Sequence, residues 1–219
     1  MAGGVNSITH PTEVNGHISY NSTAPGTAWA NVSGASNAFD ALPANQTFAS
    51  GIKGTTTITS AGSVYVVDVT GDINLPQNGV LTINGTASTD VIINVTGTLN
   101  LNGNQSLHPA LALSGGITAD HVVYNFVGAG SALQTSGGLN QESIVDGILL
   151  ASQRNVGFSP GQVNGELLAG GTNIQIVSGG NVSAVVTPVP LPAAAWGGIS
   201  LLGAIGALRL IRSRNAALA

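Results

Sequence analysis

The chain is 219 residues long, 43 % apolar and only 6 % charged, with 31 glycines and no cysteine. Before residue 188 the cations are Lys53 and Arg154 against nine carboxylates, a formal charge of 2 − 9 = −7, which excludes a nucleic-acid partner because phosphate binding needs clustered Lys and Arg. The missing cysteines exclude disulfide staples, cysteine metal knuckles and a thiol nucleophile.

The opening "MAGGVNSITHP" has neither the basic n-region nor the apolar h-region of a secretory signal. "NAFDALPANQTFAS" (37–50) is the one stretch before residue 188 with a trace of helical period. From there the body reads as strands and turns. "VVDVTGDINL" (66–75) returns as "IINVTGTLNL" (92–101) at an offset of 26, and "VDGILLA" (145–151) returns as "VNGELLA" (163–169) at an offset of 18, with an echo in "VNGHI" (14–18). Each unit alternates β-branched or aliphatic residues with polar ones and closes on Gly, Asn or Asp, which is strand and turn chemistry. Strands that recur at such a period predict coils stacked into a solenoid, with small polar residues satisfying the surface without formal charge. The expected fold class is therefore all-β, a parallel β-helix or β-solenoid over residues 1–187 with one C-terminal transmembrane α-helix. A β-sandwich is the competing architecture.

Several motifs invite a chemical reading. "GFSPG" (157–161) spells G-x-S-x-G, but Pro160 has no N–H to give an oxyanion hole and "QVNGELLA" continues as a strand, so the segment reads as a turn. His108, and the Asp120–His121 pair before "VVYNF", match no metal-ligand spacing, and His10 and His17 are equally uninformative. Asp68 and Asp72, with Asp90 nearby, are weak calcium candidates. The 26-residue offset replaces the first two by Asn94 and Thr98, so no calcium array recurs. A glycan-cleaving β-helix would need converging carboxylates or a carboxylate with a cation. Asp146, Arg154 and Glu166 are the available groups, and the 18-residue offset pairs Asp146 with Asn164 and Glu166 with Ile148. No catalytic residue and no cofactor is assigned. Seven Asn-x-Ser/Thr triplets fit an Asn- and Thr-rich chain without further meaning.

From Val189 to Leu208 twenty residues carry no charge, about 30 Å of helix at about 1.5 Å per residue, and Arg209, Arg212 and Arg214 follow. A bilayer span with a cytoplasmic basic end is expected, with the body on the outer side. Trp196 sits at the outer interface, and Gly203 and Ala207 give a small-xxx-small face. The domain boundaries that follow are a body to 187, a Pro-rich hinge over 188–192, a transmembrane helix over 193–211 and a basic tail over 212–219.

"VPLPAAAW" followed by "GGISLLGAIGALRLIRSR" resembles a PEP-CTERM sorting segment. The resemblance implies export in a bacterium, processing by an exosortase near Val189, Pro190, Leu191 and Pro192, and transient membrane anchoring before release to the cell surface or outside. Leu191 stands where Glu is usual, and the basic end is looser than the usual Arg cluster. An export tail without a leader leads us to expect a signal peptide upstream of Met1. The body, through "EVNGHISY", "DVIINVTGTLNL", "HVVYNF" and "VDGILLASQRNV…GQVNGELLAGG", resembles the choice-of-anchor A family of surface domains. Steps such as "GILLA" and "NGELLA" also resemble the ice-binding β-solenoids. Ice binding needs a flat face of regularly spaced Thr or small residues, and "TTTIT" (55–59) is the only Thr-rich rung.

The expected protein is a non-catalytic structural or adhesive component of the bacterial surface or matrix. Its expected partners are an exosortase-type processing enzyme, the membrane, and an exopolysaccharide or matrix protein. An ice-binding protein and, behind it, a glycan-acting enzyme are the alternatives.

Overall fold

The computed structural model describes residues 24–102, 109–136, 143–158, 160–170, 173–176 and 180–183. The chain divides into two units, Met1–Val185 and Val186–Ala219. The second, with the expected hinge, span and tail, lies outside the described residues, among which no helix is long and apolar enough to cross a membrane.

The first described element is helix α1 (Ala24–Asp40), and the strands follow in threes. One coil holds β1 (Gln46–Phe48), β2 (Ile52–Lys53) and β3 (Thr56–Thr59), and the next β4 (Val64–Val69), β5 (Ile73–Leu75) and β6 (Leu81–Asn84). The third holds β7 (Asp90–Val95), β8 (Leu99–Asn102) and β9 (Leu111–Ser114). Then come β10 (Val122–Phe126), β11 (Gly130–Ser136), β12 (Ser143–Ala151), β13 (Arg154–Phe158), β14 (Gly161–Ala169), β15 (Ile174–Ile176) and β16 (Gly180–Ser183). Every pairing is parallel and joins equivalent strands of successive coils.

Three faces result. One runs β1, β4, β7, β10 and the C-terminal halves of β12 and β14; a second runs β3, β6, β9, the N-terminal halves of β12 and β14, and β16; the third is β2, β5, β8, β11, β13 and β15. The first two faces form a single ten-stranded sheet because β12 and β14 each bend from one to the other. Gly147 and Gly165, in register with each other, make those bends at φ +139° and +150°, values open to Gly and strained for other residues. In earlier coils the same corner is an external connection, such as 85–89 between β6 and β7.

The repeats read from the sequence are this register. Val66 lies opposite Ile92 and Asp68 opposite Asn94, while Val145 lies opposite Val163 and Asp146 opposite Asn164. Inward residues stack in columns, Val67 on Ile93, Tyr124 and Leu149, and Ile73 on Leu99, Leu133 and Val156, all buried. Each aliphatic side chain so removed from water contributes about 1.5–3 kcal/mol, and the aligned columns fix register because a one-residue slip turns them outward.

The expected helical trace over 37–50 is corrected. The helix spans 24–40, and Gln46–Phe48 is already a strand. Among the described side chains of α1, Val32, Ser33, Ala35, Ser36 and Phe39 are buried or half-buried, a mixed set too poor in large apolar residues to read as a stripe. Asn125 Nδ2 donates to the Ser36 carbonyl at 3.0 Å, Ser36 Oγ donates to Asn125 Oδ1 at 2.6 Å, and Asn94 Nδ2 donates to the Phe39 carbonyl at 3.0 Å. Asn94 and Asn125 face outward on β7 and β10, joined to each other at 2.9 Å, and are buried under the helix.

Candidate binding faces

Helix α1 sits on β7 and β10 in the middle of the first face, and the chemistry of the other two faces follows from which residues alternate outward. On the second face Thr57 lies beside Thr82 and Thr82 beside Ala112, while Thr59, Asn84 and Ser114 form a parallel row. Thr57, Thr59 and Ser114 are exposed and Thr82, Asn84 and Ala112 half-buried. Adjacent strands are about 4.8 Å apart, so over these three strands hydroxyl, methyl and amide groups repeat in an uncharged grid. We call it the threonine face. The row of Thr57, Thr82 and Ala112 runs on into Asp146, which follows the Val145–Leu111 pair, then Asn164 and Ser183. Asp146 accepts from Asn164 Nδ2 at 2.8 Å, and Asn164 Oδ1 accepts from Gln162 Nε2. Half-burial raises the Asp146 carboxyl above its usual range, opposed by the Asn164 donor. The rung "TTTIT" is therefore not isolated, as the sequence suggested. Its neighbours on the next two coils are Thr82 and Ala112 in one row and Asn84 and Ser114 in the other, all small and uncharged but with Thr82 the one further threonine among them.

The third face carries Lys53, Asn74, Asn100, Gln134, Gly157 and Gln175 in one outward row. Asn100 Nδ2 donates to Asn74 Oδ1 at 2.7 Å. A second row begins at Asp72, whose Oδ1 accepts the Thr98 N–H at 2.8 Å, and ends where Asn155 Oδ1 accepts the Asn173 N–H at 3.0 Å. This is the amide face.

The candidate chemical groups are placed as follows. Arg154 is 3 % exposed, and its guanidinium donates to the carbonyls of Thr96, Gly97, Val127, Gly128 and Ser131, closing the corner between the first and third faces. Burial lowers its pKa, and Asp72 is the charge that opposes this. Arg154 lies on the six-stranded sheet, whereas Asp146 and Glu166 lie on the other, and the donors of Arg154 are committed to backbone. Asp68 accepts from Asn94 Nδ2 at 3.1 Å and belongs to the support of α1. Among the described residues no three His, Asp or Glu side chains gather as a metal set. His121 does find a carboxylate that spacing did not suggest, Asp90 Oδ1 at 2.6 Å from Nδ1, 31 residues away and one coil below. That bond raises the His121 pKa, and the Thr118 hydroxyl lowers that of Asp120 by hydrogen bonding to it. Pro160 sits at the tight corner between β13 and β14, with the Phe158 ring packed against Gly161. Ser159, His108, His10 and His17 lie outside the described residues, as do Val189, Pro190, Leu191, Pro192, Trp196, Gly203, Ala207, Arg209, Arg212 and Arg214.

No curated protein matches the sequence. Among solved structures, an ice-binding protein from an Arctic yeast aligns with TM-score 0.57 at 17 % identity, over 80 % of this chain and 68 % of its own. An ice-binding protein from the Antarctic ascomycete Antarctomyces psychrotrophicus aligns with TM-score 0.47 at 22 % identity, over 73 % of this chain and 68 % of its own. The likeness to the yeast protein is one of fold. A family profile matches across nearly the whole solenoid, and the chain belongs to that family, described as "Putative Ice-binding-like adhesive domain", over residues 2–183.

Proposed function

We propose that the chain is an exported, non-catalytic adhesive protein of the bacterial surface or extracellular matrix. Membership of an adhesive-domain family over residues 2–183 carries this reading. The in-register rows of small hydroxyl and amide groups, with a charge only at Asp146 in one and Lys53 in the other, and the commitment of Arg154 to backbone carbonyls support it. In this reading an exosortase processes the tail at Val189–Pro192, residues 193–211 hold the chain in the membrane meanwhile, and an exopolysaccharide or matrix protein is the body's partner. Protease treatment of intact producing cells tests it. Antibody-detected body should be digested without lysis, and the mature mass should lack the residues after the Pro190–Pro192 step. A body protected until lysis would overturn the reading.

Ice is a second reading, favoured by the in-register row of Thr57, Thr82 and Ala112 beside Thr59, Asn84 and Ser114. A flat grid of small uncharged groups can order water as an ice surface does, whereas a charged side chain breaks it. Recrystallisation inhibition by the protein, abolished by Thr57→Lys and Thr82→Lys, is the expected result. No inhibition by the unsubstituted chain would remove this reading and leave the adhesive one standing.

A further inference from the structure

We propose that the amide face is a second binding surface, for a neutral, extended polysaccharide laid along the solenoid axis. The inference rests on the adhesive reading only in needing the body outside the cell, and it concerns a different face from the one that would meet ice.

Asn74, Asn100, Gln134 and Gln175 stand on one outward line, with one residue from each successive coil and Gly157 at the single position without a side chain. Strand spacing sets neighbouring positions about 4.8 Å apart, a separation close to the advance of one sugar unit in an extended chain. Asn74 and Asn100 are half-buried, Gln134 and Gln175 exposed. The Asn100 to Asn74 hydrogen bond fixes the planes of both amides, and since each amide has two donor hydrogens and two acceptor lone pairs, the bond leaves each able to donate and accept outward. Sugar hydroxyls are donors and acceptors at once, and a repeating polyol matches a repeating row of amides.

Charge narrows the ligand. From Asn74 to Gln175 the row carries none, and the body has a formal charge of −7, so a polyanion is repelled and a neutral chain is not. A protein partner would need apolar or aromatic anchors. Among the described residues the exposed large apolar ones, Leu42, Val64, Leu168 and Ile176, all lie off this row. The row itself holds no aromatic residue, so each contact is weak and retention comes from several coils engaging one polymer.

The test is retention of the full chain on microcrystalline cellulose, a neutral β-linked polymer, with alginate as the polyanionic counterpart. The expected result is retention on cellulose that persists in about 1 M salt, where screening acts within about 3 Å. It should fall roughly fivefold or more in the double variant Gln134→Lys, Gln175→Lys. Both positions are exposed, so that variant should keep the circular dichroism of the parent. Thr57→Lys should leave retention unchanged. The proposal is overturned if the unsubstituted chain is not retained on cellulose, if it prefers alginate, or if Thr57→Lys removes retention as well as the amide-face variant does.

Discussion

Gly165→Ala tests the bent-strand architecture at its tightest point. Gly165 has φ +150°, and a Cβ built there would lie 2.1 Å from the Gly147 carbonyl oxygen and 2.7 Å from its carbon, both backbone atoms of the adjoining coil. The strained backbone costs about 1–3 kcal/mol, and forcing two packed coils apart adds about 1–3 kcal/mol. About 4 kcal/mol of destabilisation is expected, a large share of the roughly 5–15 kcal/mol that holds a domain folded. At about 2–4 °C per kcal/mol, the melting temperature should fall by roughly 8–16 °C. Gly34→Ala is the internal control. It is exposed in α1 with nothing within 4 Å of a new Cβ, so the same substitution should stabilise by about 0.5–1 kcal/mol through helix propensity. Urea titration followed by far-ultraviolet circular dichroism reads both. A Gly165→Ala chain within about 0.5 kcal/mol of the parent would mean that β12 and β14 do not turn between faces as described.

Arg154→Met should destabilise by on the order of 3 kcal/mol, since each buried carbonyl left without a donor costs about 1–3 kcal/mol, and Arg154→Lys should recover little because an ammonium lacks the fork that reaches five carbonyls; denaturant titration measures both. Asn125→Ala should loosen α1, raising amide hydrogen exchange in 30–40 well above that in β7, because it removes three bonds among Ser36, Asn94 and Asn125. His121 should titrate above 6.5 by NMR, and Asp90→Asn should remove the upward shift that the Asp90 bond causes. Because the folded pKa is raised, the pair's stabilisation is fully present below the unfolded value and lost as pH rises through the folded one. With Asp90 59 % exposed, it should amount to about 0.5 kcal/mol or less.

What the sequence disclosed of this fold tracks how closely neighbouring coils resemble each other. The 26- and 18-residue offsets coincide with strand register because residues stacked in one column meet the same surroundings, so Val67 and Ile93, or Val145 and Val163, are chosen alike. The middle coils were illegible. Leu81 pairs with Leu111 at an offset of 30 and Leu99 with Leu133 at 34, since the corners between strands vary in length while the strands do not. Helix α1 lacked a strong apolar stripe because its anchors include two asparagines that bind its backbone from outside. The threonine face was hidden for a related reason. Outward positions require only a small uncharged group, which Thr82, Ala112 and Ser114 meet without resembling one another. The Asp90–His121 contact spans a coil and left no trace in spacing.

Letting one strand serve two faces also shortens the circuit. Between Ile148 and Glu166 the chain returns to the same edge in 18 residues, with a single inverted glycine in place of a corner. Such a turn is a self-contained slice. Tandem copies of residues 148–165 would lengthen the rod by about 4.8 Å apiece, adding a fresh stripe to both free walls at a nearly constant increment of stability. Reach and valency would then scale with slice number, like divisions on a ruler.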